Sequence, residues 1–216
     1  MTTKIDYLVA AMAGVATAGF LWITLQFLGA LRALPFPSIA LFLVVPVLWV
    51  LGVWLGGFLG ARFMPFFNQF GKFAVVGFLS ASIDFAVLNF MSYLTGITAG
   101  VTVGWINVPG FLIAVVNGYL WNKLWVFGAP PSLKSDFGTP KKSDFFPGGG
   151  LFHNFPKFFG VTSIGLLINS GIIVLLTTYV PIPPISTKLW LNAAKIIANA
   201  FAMIWNFLGY KFIAFR

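Results

Sequence analysis

The later two thirds of this chain carry the same pattern twice. Phe70-Gly71-Lys72-Phe73 opens an apolar run that holds Asp84, and Phe155-Pro156-Lys157-Phe158 opens another that holds Asn169 at the matching place. The offset is 85 residues, so Val76 falls on Val161. Each run leads to a second apolar run with a related ending. Tyr119–Phe127 carries Lys123 where Phe207–Phe215 carries Lys211, at an offset of 88. A duplicated unit of two long apolar segments is the plan of many small transporters.

The repeat must live in a membrane. Hydrophobic residues make up 59% of the chain and charged residues 8%, against about 25% charged in a soluble domain. Too few charges remain to cover a wet surface. Six runs approach the roughly 20 apolar residues that a span needs: Tyr7–Leu31, Ser38–Ala61, Phe73–Leu94, Ala99–Trp121, Phe158–Val180 and Leu189–Gly209. The first follows Lys4 but is too long for a signal-peptide core of about 7–15 residues. Pro35-Phe36-Pro37 turns it into the second, giving a helical hairpin. The fold class is therefore an all-α integral membrane protein of six transmembrane helices. Residues 1–65 form the hairpin, 66–127 the first two-helix repeat, 128–154 a linker and 155–216 the second repeat. Pro109, midway along its span, is expected to kink that helix.

Net charge is +9, which could suit nucleic acid, but the cations sit between the apolar runs, as topology would place them. Lys4, Arg62, Lys72, Lys123, Lys134, Lys141, Lys142, Lys157, Lys211 and Arg216 share one side. Arg32, Lys188 and Lys195 fall on the other. The positive-inside rule then puts both termini and the linker in the cytoplasm of a multi-pass cytoplasmic-membrane protein. The linker, rich in Pro, Gly, Lys and Asp, reads as a solvated loop, with lipid contact at Lys134, Lys141 and Lys142 as the rival reading. With no cysteine, no glutamate, four acidic residues and one histidine, nothing in the chain calls for a metal, a cofactor or acid/base catalysis. His153 has no assigned role.

Asp84 is the costliest residue to explain. It stands twelve residues past Lys72, about 18 Å along a helix. An ionisable group at that depth costs roughly 2.5–3.5 kcal/mol or more. Gly77, Ser80, Ala81 and Asp84 share one helical face, and Thr162, Gly165, Leu166 and Asn169 repeat it. The last helix carries a polar stripe of Asn192, Lys195, Asn199 and Asn206. Asn107 holds the place that Lys195 holds in the second unit, and Gly110, Ala114 and Gly118 follow it as a small-residue face. Asp84, Asn107, Asn169, Lys195 and Asn199 are therefore candidates for a polar substrate-binding layer. The plainer account is an Asp84–Lys195 ion pair with asparagines joining helices, or Lys195 reaching to the outer surface. Lys72, Lys123, Lys157 and Lys211 each mark the same end of a repeated helix. They are candidates to hold a phosphate headgroup, against simple positive-inside anchoring. Trp121, Trp125 and Trp205 read as interfacial or packing aromatics. In the hairpin, Ala10, Gly14 and Ala18 on one helix and Gly52, Gly56 and Gly60 on the other favour close packing within the chain, with a homodimer face as the alternative.

Phe70–Gly77, Ile83-Asp84-Phe85, Asn122-Lys123 with Trp125 to Phe127, Ala194–Ala198 and Trp205-Asn206-Phe207 occur here in an order and spacing that resembles the GtrA-like family over about residues 66–216. The resemblance implies a core of four transmembrane helices. It also implies a role in moving polyprenyl-phosphate-linked sugars for cell-surface polysaccharide or glycan, or service as the membrane part of a polyprenyl-phosphate sugar synthase. It maps Lys72, Asp84, Asn122, Lys123, Lys195, Asn206 and Lys211 onto the family's recurring polar positions. The hairpin is additional to that core, and the second unit departs from the pattern with Asn169 for an acid and Ile213 for Trp. The expectation is a non-enzymatic flippase or flippase subunit whose partners are the lipid-linked sugar and membrane lipids. Its rivals are an anchor for a cytoplasmic glycosyltransferase and a small-cation exporter using Asp84.

Overall fold

The computed structural model describes residues 2–127, 153–180 and 184–214. Its long elements are helices α1 (Lys4–Phe27), α2 (Leu41–Arg62), α3 (Phe66–Thr95), α4 (Thr102–Trp121), α5 (Phe155–Tyr179) and α6 (Thr187–Gly209). Among the described residues there is no strand. All six helical segments are long and apolar enough to cross a bilayer, where only a helix or a closed barrel satisfies its own backbone. The expected six-span, all-α fold is the one observed. Most of the linker, with Lys134, Lys141 and Lys142, lies outside the described residues, as do both chain ends.

Local signals set the boundaries. Thr3 and Asp6 form a reciprocal capping box at the start of α1, which satisfies otherwise orphaned amides. Ser186 accepts from the Leu189 amide at the start of α6. α3 ends on Gly96 at φ 71°, a left-handed position that costs glycine nothing. α2 and α4 stay helical through Pro46 and Pro109. Beyond α4 and α6 the chain widens into matching π turns, Asn122–Val126 and Tyr210–Ala214. They stand 88 residues apart, the offset already present in the sequence.

The helices pack in three antiparallel pairs: α1 with α2, α3 with α4 and α5 with α6. The hairpin lies against α3, while α4 meets α5 at the centre. Small residues set the approach. Gly14 lies against Pro46 of α2, while Gly56 and Gly60 face α3. A Cβ on Gly56 would stand 2.8 Å from the Phe67 carbonyl oxygen, and one on Gly60 3.1 Å from the Asn68 amide nitrogen. Gly14 and the Gly56 and Gly60 part of the second face are thus used within the chain, while Gly52 is exposed.

Two apolar cores hold the four repeated helices together. At the end bearing Lys72, Lys123, Lys157 and Lys211, here the lysine end, Phe73, Val76, Tyr119, Val126, Phe158, Val161 and Tyr210 pack in one cluster. Toward the far end, Leu88, Val103, Ile106, Ile173, Leu191 and Ala198 form another. The polar residues of the candidate site fall between the two.

Candidate functional site

Lys195 is fully buried, at 0% exposure. Its ammonium pairs with Asp84 Oδ2 at 2.5 Å, donates to Asn107 Oδ1 and to Asn169 Oδ1 at 3.3 Å. A lysine has three protons to donate, and each finds an oxygen. Those oxygens come from α3, α4 and α5, the three repeat-related helices that face α6. Four positions matched only by sequence offset therefore converge on one point. Lys195 does not reach for the surface.

The network continues. Asn107 Nδ2 donates to Asn169 Oδ1 and to Ser170 Oγ, both at 3.1 Å. Asn169 Nδ2 donates to Asn199 Oδ1 at 2.6 Å. The orientation of each amide follows from Lys195, which can only donate. Asn107 and Asn169 must turn oxygens toward it, so the Asn169 amide nitrogen serves Asn199. All five residues expected to form the polar layer are joined.

Glycine makes room for the carboxylate. A Cβ on Gly110 would lie 2.8 Å from Asp84 Oδ1 and 2.9 Å from the Asp84 carbonyl oxygen. The small-residue face of Gly110, Ala114 and Gly118 thus has a local reason: α4 must approach α3 closely where Asp84 sits.

A cavity of about 590 Å³ lies beside this network, walled by α3, α4, α5 and α6. Its wall is mostly apolar, with Phe73, Phe111 and Tyr210 among the residues that form it, and Ser80, Asp84, Asn122, Thr162, Asn169, Asn199 and Asn206 are its polar members. Lining residues on α4 and α5, such as Phe111, Gly118, Phe158 and Thr162, are buried, whereas Phe78 of α3 and Ile196, Ala200 and Ile204 of α6 are exposed. The cavity therefore opens sideways between α3 and α6, where a bilayer would meet it. That seam is closed above and below the opening. On the far side Asn89 and Asn192 exchange two amide hydrogen bonds of 2.9 and 3.0 Å. On the lysine side Phe207 packs its ring against Phe66, Phe70 and Phe73, with centroids 5.1–5.7 Å apart.

The four lysines at the helix ends stand outside the cavity lining. Lys72 is bound to Asp6 at 2.6 Å. Lys211 lies over the Phe66 ring at 4.3 Å. Lys157 is exposed and Lys123 partly buried. Asp6, which the sequence reading passed over, also accepts from Trp125 Nε1 at 2.7 Å, so the hairpin is tied to both helices of the first repeat. Its signal was the Thr3-to-Asp6 spacing of a capping box. Asn89 was missed as well: its counterpart in the second unit is apolar, so the repeat does not mark it. Trp205 donates to the Val161 carbonyl, which is a packing role, and His153 is exposed.

Six apolar helices around a buried polar network with a lateral cavity define a multi-pass α-helical membrane protein. The model of the GtrA/DPMS transmembrane domain family matches residues 72–215. The chain belongs to that family, which ties it to polyprenyl-phosphate sugar processes, and α1 and α2 lie outside the matched region. Comparison with curated proteins and with solved structures gave no match.

Proposed function

We propose that the protein carries a polyprenyl-phosphate-linked sugar across the cytoplasmic membrane, as a flippase or flippase subunit in the synthesis of surface polysaccharide or glycan. The observation that carries this reading is the cavity that opens sideways between α3 and α6 and holds polar residues in its wall. A lipid tail stays in the bilayer, beside the exposed Phe78, Ile196 and Ile204, while its head enters the cavity. Asp84, Asn169 and Asn199 line the crossing, and Asn107 and Lys195, both fully buried, hold them in place from behind the wall. The phosphate meets the lysine end, where Lys123, Lys157 and Lys211 mark three helix termini and Lys72 a fourth. Positive-inside counting turns that end toward the cytoplasm. The work is transport, with no bond made or broken by the protein.

The two pairs that close the seam suggest how passage proceeds. The aromatic contacts around Phe207 must part to admit the head, and the Asn89–Asn192 pair must part to release it. Parting both at once would open a leak, so the two act alternately.

The test is flipping of a fluorescent polyprenyl-phosphate sugar in proteoliposomes holding only this protein. Flipping above protein-free vesicles, reduced by Lys123→Gln with Lys211→Gln in a folded, inserted protein, is expected. Absent flipping, together with recruitment of a cytoplasmic glycosyltransferase to the membrane, would replace the carrier by an anchor. Orientation is tested separately: a cysteine at Ser135 should react with an impermeant reagent only after the membrane is opened.

A further inference from the structure

We infer that the protein holds a second lipid tail, in a groove between α4 and α5 on the half of the bundle away from the lysine end. The kind of tail rests on the carrier reading: it is the polyprenyl chain of the lipid carried. The duplication points to the site.

Under the duplication α5 corresponds to α3 and α6 to α4, so the seam between α4 and α5 is the counterpart of the seam between α3 and α6. The offsets of 85 and 88 carry one onto the other residue by residue. On the lysine side Phe207 packs against Phe70 and Phe73. Its counterpart Tyr119 packs against their counterparts Phe155 and Phe158, with centroids 5.2 and 4.8 Å away. Repeat-related aromatic contacts thus shut both seams there. On the far side the seams differ. Asn89 and Asn192 join the first with two hydrogen bonds. The matching places in the second hold Val174 and Gly104, where a Cβ on Gly104 would meet Val174 at 3.5 Å. Glycine and valine side chains form no hydrogen bond, and in place of an amide latch this seam has a groove of about 530 Å³.

Three residues that line the groove, Val108, Leu166 and Ser170, are the counterparts of Ile196, Ala81 and Phe85, which line the cavity between α3 and α6. The two sites are therefore built from the same places in the repeat, at different depths. The groove runs along α5 from Leu166 to Tyr179. Thirteen helical positions span about 20 Å, enough for the roughly 15 Å of hydrocarbon in one leaflet. No charged side chain is among the described residues that line it, and the Ser170 hydroxyl oxygen is taken by Asn107 inside the bundle. Such a wall suits a hydrocarbon chain and offers nothing to a charged head. Gly171 leaves room, since a Cβ there would meet nothing within 4 Å. Trp105 and Tyr179, 76% and 79% exposed, flank the chain's path, as aromatics do near a membrane surface. One tail thus lies at the α3–α6 opening and the other in the leaflet away from the lysine end.

The test uses the whole chain in phosphatidylcholine nanodiscs. The probe is a polyprenyl phosphate with a diazirine on its tail, and labelled peptides are mapped by mass spectrometry. Label is expected in two places: around Phe78 and Ile196 at the α3–α6 opening, and around Val108 and Leu167 in the groove. A phosphatidylcholine with the same diazirine on one acyl chain, at the same mole fraction, should label the groove far less. Gly171→Leu fills the groove at an exposed position with room for a side chain, so it should abolish the groove label and spare the opening. Label confined to the opening, equal groove labelling by the phosphatidylcholine probe, or an unchanged groove label in folded Gly171→Leu would overturn the inference. So would ready disulfide dimers of Trp105→Cys in this cysteine-free chain, which would put a second copy on the groove. The phosphatidylcholine comparison needs no variant, so it decides the matter even where a substitution prevents folding. Two labelled sites with no flipping in proteoliposomes would sink the carrier reading alone. Flipping with no groove label would sink this inference alone.

Discussion

Two acid–lysine pairs stand at different depths of this protein, and they are finished differently. At the lysine end Asp6 takes Lys72 at 2.6 Å, the Thr3 amide at 2.7 Å and the Trp125 indole at 2.7 Å. Both of its oxygens are used. Between the two apolar cores Asp84 takes Lys195 and leaves Oδ1 open. Side-chain exposure is 15% and 7% for Lys72 and Asp6, and 0% and 5% for Lys195 and Asp84. The deeper pair has less access to water and yet the less complete set of partners. A pair that only holds helices together is expected to be saturated, as Asp6 is. Asp84 Oδ1 instead lies against Gly110 of α4, without a hydrogen-bond partner. The Asp6 pair fastens the hairpin to the first repeat, and the proposed carrier reading gives the Asp84 pair a place in the substrate path.

The sharpest way to break this contrast is to remove one charge from the deep pair. Asp84→Asn strands a fully buried lysine and should cost about 3–5 kcal/mol, read as a lower unfolding temperature in detergent. Lys195→Met should harm the protein similarly. The double variant should be less damaged than the sum, since neither charge is then left alone. Strict additivity would mean that the two side chains do not act as a pair.

A smaller effect tests the room made for Asp84. Gly110→Ala places a methyl group 2.8 Å from Oδ1 and should destabilise by about 1–3 kcal/mol through overpacking, with a matching loss of transport. Gly77→Ala is the control on the same cavity, because a Cβ there meets nothing within 4 Å. Equal damage from both would show that helix interior effects, not the Asp84 contact, are being measured.

Weaker still is the amide pair on the far side of the seam. Asn89→Leu or Asn192→Leu should cost about 0.6 kcal/mol, and at most about 1.7, the range found for hydrogen bonds between membrane helices. The informative readout is kinetic: if this pair closes the far end, its loss should make flipping faster or leaky while the fold survives. The smallest effect on transport is expected at the shallow pair. Asp6→Asn keeps an acceptor for Trp125 and Lys72 but turns an amide N–H toward the Thr3 amide, and should cost about 1–2 kcal/mol through the lost cap, with transport retained. Transport lost at Asp6 and spared at Asp84 would reverse the comparison.

Much of the buried polar network was legible in the sequence. An acid and a lysine within apolar runs are too costly to be idle, so Asp84 and Lys195 declared themselves. The repeat then marked Asn107 and Asn169 as their counterparts. What escaped were residues whose meaning depends on a partner far along the chain. Asn89 bonds Asn192 across 103 positions, and Asp6 meets Trp125 across 119. No local pattern encodes such a distance. Lys72 looked like one of four equivalent cations, and only the docking of α1 shows it already bound.

The sequence alone determined that the chain is a membrane protein of six helices with a duplicated core, because hydrocarbon admits few backbone solutions and apolar length can be counted. It also placed the polar residues at matching depths, since helical rise is constant. Tertiary packing alone decided which of them touch, how the amides orient and where the cavity opens. Those outcomes depend on how closely α3, α4, α5 and α6 approach one another. That approach is set by contacts such as Gly110 with Asp84 and Phe207 with Phe73, and such contacts exist only once the helices have assembled.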